Sequence, residues 1–261
     1  GVSHGHARMW NPLRRFLHLV AGAMVRLGLL EAERAEASAD LAWPQMVTGL
    51  ARQSRRIADL AMVGIALGPT AVAALGFAYT YWLLVGGLAV GTAGGTIALV
   101  SQRFGAGEHR GIDLVLKQSV LLALLLSAPL TATYWLFADG LIAVLGADPT
   151  TLGFSGTYLR WLSLGVAFKF LNIIAARALI GADDAWSPMV VRVGGGVLNV
   201  VLNAVLIFGA GLGVTGAALG TVAATAAMTA WFAWGLLRGR APLVGSFPIQ
   251  VRLARPYLDR P

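Results

Sequence analysis

The stretch GLARQSRRIADLAMVG, Gly49 to Gly64, sets three arginines and an aspartate in the middle of an otherwise apolar run. The chain around it is 57% hydrophobic and only 12% charged, with a mean hydropathy of +0.72. A soluble domain is about a quarter charged, so the solvent here is lipid. On a 3.6-residue helix Gln45, Thr48, Arg52, Arg55, Arg56 and Asp59 follow one another by threes and fours and form one polar stripe. A charge at the bilayer centre costs about 2.5–3.5 kcal/mol, so four facing lipid would cost about 10 kcal/mol or more. The stripe must therefore face a bundle interior or a water-filled cavity.

Six candidate spans follow, at about 41–67, 70–100, 114–137, 155–179, 187–208 and 214–237. Each has the roughly 20 residues needed to cross about 30 Å of hydrocarbon. This predicts an all-α integral membrane protein, with residues 1–40 as an N-terminal segment, 41–240 as a six-helix lobe and 241–261 as a basic tail. The connections LGPTA, LGADPTT, ADDAWSP and GAGLG are short and rich in turn formers. Arg103, Arg110 and Lys117 flank the second connection, and arginines crowd both ends of the chain, whereas the first, third and fifth connections carry no Lys or Arg. The positive side is cytoplasmic, so both termini are expected inside a multi-pass protein of the plasma membrane. Residues 12–30, with Arg14, Arg15, His18 and Arg26 breaking an apolar body, are expected to lie on the inner surface as an amphipathic helix. The net charge of +8 is then that of basic loops, not a nucleic-acid surface.

Matching polar faces occur on other spans. Arg192, Gly195, Gly196, Asn199 and Asn203 share one face of the fifth, Thr221, Thr225 and Thr229 recur in the sixth, and the fourth contributes Lys169 and Asn172. Asp59, Asn199, Asn203 and Thr221 sit at similar depth in the outer half. Of 12 acidic residues, Asp59 alone falls inside a predicted span. An intramembrane carboxylate reads first as functional, and otherwise as a structural partner of Arg55 or Arg56. Thr225, Thr229 and Asn172 are expected equally as interhelical glue. Gly86, Gly87, Gly91, Gly94, Gly95 and Gly194 to Gly196 are expected as close-packing positions, and Tyr79, Tyr81 and Trp82 as packing or interface anchors. No metal-ligand spacing and no nucleophile–base pair lies in the spans, so no metal, no cofactor and no enzymatic activity is expected.

The segments LAWPQMVTGLARQSRRIADLAMVGIALGPTAVAALG, VSQRFGAGEHRG, VLGADP, TYLRWLSLGVAF, GADDAWSPM and LNVVLNAVLIFGAGLGVTGAALGTV resemble, in order and spacing, the N-terminal lobe of the MATE (multidrug and toxic compound extrusion) family, closest to its DinF-like, archaeal-type branch. The resemblance covers about residues 41–240. It implies one lobe of a two-lobe transporter in which two six-helix lobes enclose a cavity that opens to alternate sides. It also implies an ion-coupling site at Asp59, Asn199, Asn203 and Thr221, and a helix bend at Pro44. Gln45, Thr48, Arg52, Arg55, Arg56, Lys169, Asn172 and Arg192 become cavity-lining, substrate-facing candidates.

Two departures from the family pattern matter. The fifth-span acid of the family is Asn203 here, and Arg55-Arg56 replaces a Tyr-Asn pair. A single carboxylate beside added cations suits a proton better than sodium, which wants several oxygens and negative charge. The chain also ends on PIQVRLARPYLDRP, which resembles an inter-lobe linker, so the expectation is a truncated record lacking its C-terminal lobe, with a dimerising half-transporter as the alternative. The expected function is cation-coupled antiport of drug-like or organic-cation small molecules. The rivals are a flippase of lipid-linked precursors, suited by the arginines, and a non-transporting membrane fragment.

Overall fold

A computed structural model describes residues 32–241 and 245–251, together with Leu19, Val20, Gly22, Val25 and Arg26, which are helical. The surface helix expected over residues 12–30 otherwise lies outside the described residues, as does the tail from residue 252. The described elements are α1 (Ala32–Leu67), α2 (Pro69–Gly105), α3 (His109–Leu136), α4 (Ala138–Val144), α5 (Pro149–Ser163), α6 (Val166–Gly181), α7 (Trp186–Ala204), a π-helical turn (Val205–Gly209), α8 (Gly213–Arg238) and a two-residue hairpin pairing Arg240–Ala241 with Gly245–Ser246.

The chain divides into two units, residues 1–50 and 51–261. In the first, α1 begins nine residues before the predicted span, so Pro44 lies inside a helix and not at its start. A proline there has no N–H for the helix ladder, which weakens the turn before it. Thr48 donates its hydroxyl to the Pro44 carbonyl at 2.8 Å.

The second unit is built around α2. Its buried positions Ala71, Ala74, Ala78, Ala89 and Ala93 recur at helical spacing and keep the side chains small, so neighbouring backbones approach closely. It packs on α3, α5 and α6, while α8 packs on α5, α6 and α7. One core gathers Leu75, Tyr134, Ile142, Tyr158, Leu159 and Phe170. The other core gathers Ile112, Leu116, Leu179, Phe232 and Leu236. Outward-facing Ile65, Leu83, Leu125 and Val144 are exposed, as residues meeting lipid are. Polar ties join the helices: Tyr81 donates to the Leu141 carbonyl at 2.6 Å, Ser155 to that of Ala74 at 3.0 Å, and Thr229 to that of Phe168 at 2.9 Å.

Four helices (α2, α3, α7 with its π turn, and α8) are each long and apolar enough to cross a membrane, and α5 with α6 makes a fifth as a pair bent by 54°. The predicted fourth span, 155–179, is therefore longer and broken, running from Pro149 to Gly181. The break falls at Leu164 and Gly165, where amides turn back to Trp161 and Leu162. A side chain at Gly165 would stand 3.2 Å from Val222 Cγ2 and 3.3 Å from the Trp82 ring. The first predicted span, 41–67, falls within α1, whose charged stripe keeps it from qualifying as a span by length and composition.

Turn chemistry sets the boundaries. Gly68, at φ +84°, ends α1 in a conformation that side chains resist, and Pro69 opens α2. Asp148 caps α5, accepting from the amides of Thr150 (3.0 Å) and Thr151 (3.1 Å) and from the Thr151 hydroxyl (2.6 Å). Those bonds, the Thr151 hydroxyl first, hold the Asp148 carboxyl well below the usual carboxylate range. After α8 the chain folds back: Phe247 and Ile249 are buried, and the Val251 amide donates to the Leu236 carbonyl at 2.8 Å.

The glycines divide unevenly. Gly86 faces Lys169 and Gly195 faces Met228, but a Cβ on Gly87, Gly91, Gly94, Gly95 or Gly194 would meet nothing within 4 Å. The close-packing expectation is therefore corrected for those five. Gly216 is tight against backbone, 2.9 Å from the Leu206 carbonyl carbon and oxygen in the π turn. Gly216→Ala is expected to lower thermal stability in detergent by about 1–3 kcal/mol, because backbone and not a side-chain tip must yield. Gly76→Ala, with open space around it, serves as the unchanged control; equal melting of both variants would disprove the contact. The orientation is checked by labelling in intact cells. Thr150→Cys, which spares the Asp148 cap, is expected to react with an impermeant thiol reagent, and Glu108→Cys is expected not to; the reverse pattern would invert the topology.

Candidate functional site

Asp59 is the focus. It sits two turns before the end of α1 and is 1% exposed. Its Oδ1 accepts from Asn203 Nδ2 on α7 at 2.8 Å, and its Oδ2 accepts from the Tyr79 hydroxyl on α2 at 3.3 Å. Asn199, one turn before Asn203, is fully buried. Its amide satisfies its neighbours when Nδ2 donates to Asp59 Oδ1 at 3.1 Å and the carbonyl accepts from Thr221 Oγ1 on α8 at 3.1 Å. Turned over, the same amide donates to Thr221 Oγ1 at 3.1 Å, and the Thr221 hydroxyl has the Ala217 carbonyl to donate to at 3.0 Å. The four predicted coupling residues Asp59, Asn199, Asn203 and Thr221 are thus brought together, all buried.

The local sequence explains the fit. Gly220 lies directly against the Asn203 side chain, and any Cβ there would collide with the amide oxygen. That oxygen, Asn203 Oδ1, is buried without a hydrogen-bond partner. Gly64 and Gly213 let α1 close on α2 and α8: their Cβ positions lie 3.1 Å from Val72 Cγ2 and 3.3 Å from Leu67 Cδ1. Asn203 is followed two residues later by the π turn, a distortion that is common beside functional residues.

Tyr79 was expected as packing or an interface anchor, and the structure makes it a donor to Asp59. Counting nine residues to each side of the reversal at Gly68 pairs Asp59 with Phe77, so spacing alone points to the neighbouring ring and not to Tyr79. Tyr158 on α5 extends the cluster, its ring 6.4 Å from that of Tyr79.

The other candidates separate. Arg56 leaves the stripe to lie over the Tyr79 ring, 4.9 Å from its centroid. Arg55 points at α7, its Cδ 4.0 Å from where a Cβ of Gly196 would be. Lys169 on α6 lies 3.9 Å over the Trp82 indole and donates to the Trp82 carbonyl; Gly86, one turn on, leaves the space. Arg52 lies one turn N-terminal to Arg55 on α1, and Arg192 one turn N-terminal to Gly196 on α7. Asn172 is buried, with its Nδ2 unpartnered. Thr225 back-bonds to Thr221 within α8, whereas Thr229 crosses to α6 and is glue as expected. Gln45 and Thr48 belong to the first unit, with Gln45 exposed.

Comparison with known proteins agrees with this architecture. A family model described as MatE matches residues 44–205. A probable multidrug resistance protein NorM of Bradyrhizobium diazoefficiens is 34% identical over 203 residues, covering 73% of this chain and 43% of that protein. A FAD transporter of Shewanella oneidensis is 26% identical over 201 residues, covering 76% of this chain and 44% of that one. A solved MOP-superfamily transporter of Pyrococcus furiosus, described as having a binding pocket of reverse polarity that suggests a different function, matches with TM-score 0.74 and 28% identity over 84% of this chain and 47% of that one. The chain spans about half the length of the curated relatives it matches. A helical lobe around a buried carboxylate, matched by the family model and by half of a solved transporter, belongs to the MATE family.

Proposed function

We propose that this lobe works in a cation-coupled exporter of small drug-like molecules, moving by alternating access, with Asp59 as the group that takes up the coupling ion. The supporting observation is the set of N–H and O–H donors around the Asp59 carboxylate. Tyr79, Asn203 and Asn199 present hydrogens to it from two helices. A sodium ion needs oxygens, and would have to displace those donors around one carboxylate. A proton needs no such rearrangement.

Asn199 supports the same reading. An amide can present N–H to a carboxylate or, rotated, C=O to a carboxylic acid at the same point. Thr221 serves either orientation, donating to the Asn199 carbonyl in one and to the Ala217 carbonyl in the other. Both protonation states of Asp59 are then satisfied without leaving a buried polar atom of this pair unpaired, which would cost about 1–3 kcal/mol. Proton uptake is in this way linked to a rearrangement between α1, α7 and α8, the kind of two-state element that coupling requires.

In this reading the protein resides in the plasma membrane with both termini cytoplasmic, and a C-terminal lobe or a second copy completes the cavity. Drug-like cargo is carried over from relatives named as multidrug resistance proteins.

The test is substrate movement in proteoliposomes of the full-length protein under an imposed proton or sodium gradient. Asp59→Asn, which keeps shape and removes titration, is expected to abolish gradient-driven export while the protein remains inserted and folded. Thr221→Val is expected to slow it by about fivefold to tenfold, the worth of about one buried hydrogen bond. Asn203→Asp adds a carboxylate and is expected to shift the ion dependence towards sodium. Export by Asp59→Asn at the wild-type rate would make the aspartate merely structural.

A further inference from the structure

Below the Asp59 cluster the lobe changes sign. Moving inward along α1, Arg55 lies one turn from Asp59 and Arg52 two turns. On α7, Gly196 and Arg192 succeed Asn199 in the same direction. Lys169 enters from α6 between them, held on the Trp82 ring and carbonyl. Arg55 meets α7 at Gly196. Arg55 and Lys169 are placed by those contacts, and Arg52 and Arg192 stand one turn further along α1 and α7 in the same direction, so three helices contribute cations at one level of the lobe.

That group sets four cations beside a single carboxylate, Asp59, which lies one turn from Arg55 on α1. Among the described residues the ion pairs are Arg103–Glu108, Lys117–Asp113 and Arg160–Asp139, none of which includes these four. The nearest acid, Asp59, is occupied by Asn203, Tyr79 and Asn199. Clustered like charges within a membrane lobe are costly in isolation and are retained where something neutralises them. Arg56, diverted onto Tyr79, is not part of the group. The remaining three guanidiniums and one ammonium offer forked and point donors from three helices, the arrangement that takes phosphate oxygens. An organic cation would be repelled from the same surface.

We propose that the face formed by Arg52, Arg55, Lys169 and Arg192 binds the phosphate group of an anionic cargo. This rests on the transporter reading above and names the cargo class for it. Lys169 plays a distinct part. Its ammonium is parked on a neutral carbonyl and an indole, a weaker setting than an ion pair, from which an incoming phosphate draws it.

The experiment measures binding to the detergent-solubilised full-length protein with matched probes. These are a nucleoside monophosphate against its parent nucleoside, phosphatidic acid against diacylglycerol, and tetraphenylphosphonium as an organic cation. In at least one pair the phosphate-bearing member is expected to bind tighter by about tenfold or more, as charge-assisted bonds allow. That advantage should shrink as salt is raised. An advantage in the nucleoside pair identifies a soluble phosphorylated cargo, and one in the lipid pair a lipid head group. Arg55→Gln with Lys169→Gln should erase it. No advantage in either pair, or tightest binding by tetraphenylphosphonium, overturns the proposal. The wild-type comparison decides the matter even where the double variant fails to fold. Loss of coupled export in Asp59→Asn would leave the transporter reading standing in that event, and uncoupled export with phosphate selectivity would do the converse.

Discussion

The packing of α1 against its neighbours depends on burying one carboxylate, Asp59. A lone charge in hydrocarbon is tolerated only when its lone pairs are met, and here they are met by donors from α2 and α7, one of them held by α8. Those bonds fix the depth at which α1 crosses its neighbours. The glycines at 64, 213 and 220 follow from that requirement, since each removes a side chain where a helix must come close enough for the bonds to form.

Lipid supplies no hydrophobic drive between helices, so packing and polar ties carry the association. The alanine face of α2 and the hydroxyl-to-carbonyl bonds of Tyr81, Ser155 and Thr229 are the means. They also explain why the two apolar cores lie along α2, which contributes residues from Ala71 to Val100 to them.

Much of this was legible from residue order. The stripe on α1, the isolation of Asp59 among apolar residues, the shared face of Asn199 and Asn203, and Thr221 at the same depth in a recurring threonine row follow from helical spacing, while the coupling role of the four came from the family resemblance. What spacing cannot convey is the direction of a side chain between helices. Tyr79 sits among Phe77, Tyr81 and Trp82, and a count about the reversal at Gly68 lands on Phe77, so which ring reaches Asp59 is decided by the packing and not by the spacing. Likewise Gly165 resembles any other glycine in the sequence, yet it stands at the break between α5 and α6, where Trp82 and Val222 crowd the space a side chain would need. Lys169 was legible as polar lining but not as a partner of Trp82, because a backbone carbonyl leaves no mark in the sequence.

The stacking of Lys169 on Trp82 has an optical consequence. An indole's emission responds to charge held against its ring, and this ammonium lies 3.9 Å from the ring centroid. Trp82 is one of eight tryptophans, and it touches both the lysine and the broken α5–α6 pair. Displacement of the lysine or straightening of the bend therefore changes the surroundings of the same fluorophore. The lobe carries its own internal light source beside the break between α5 and α6.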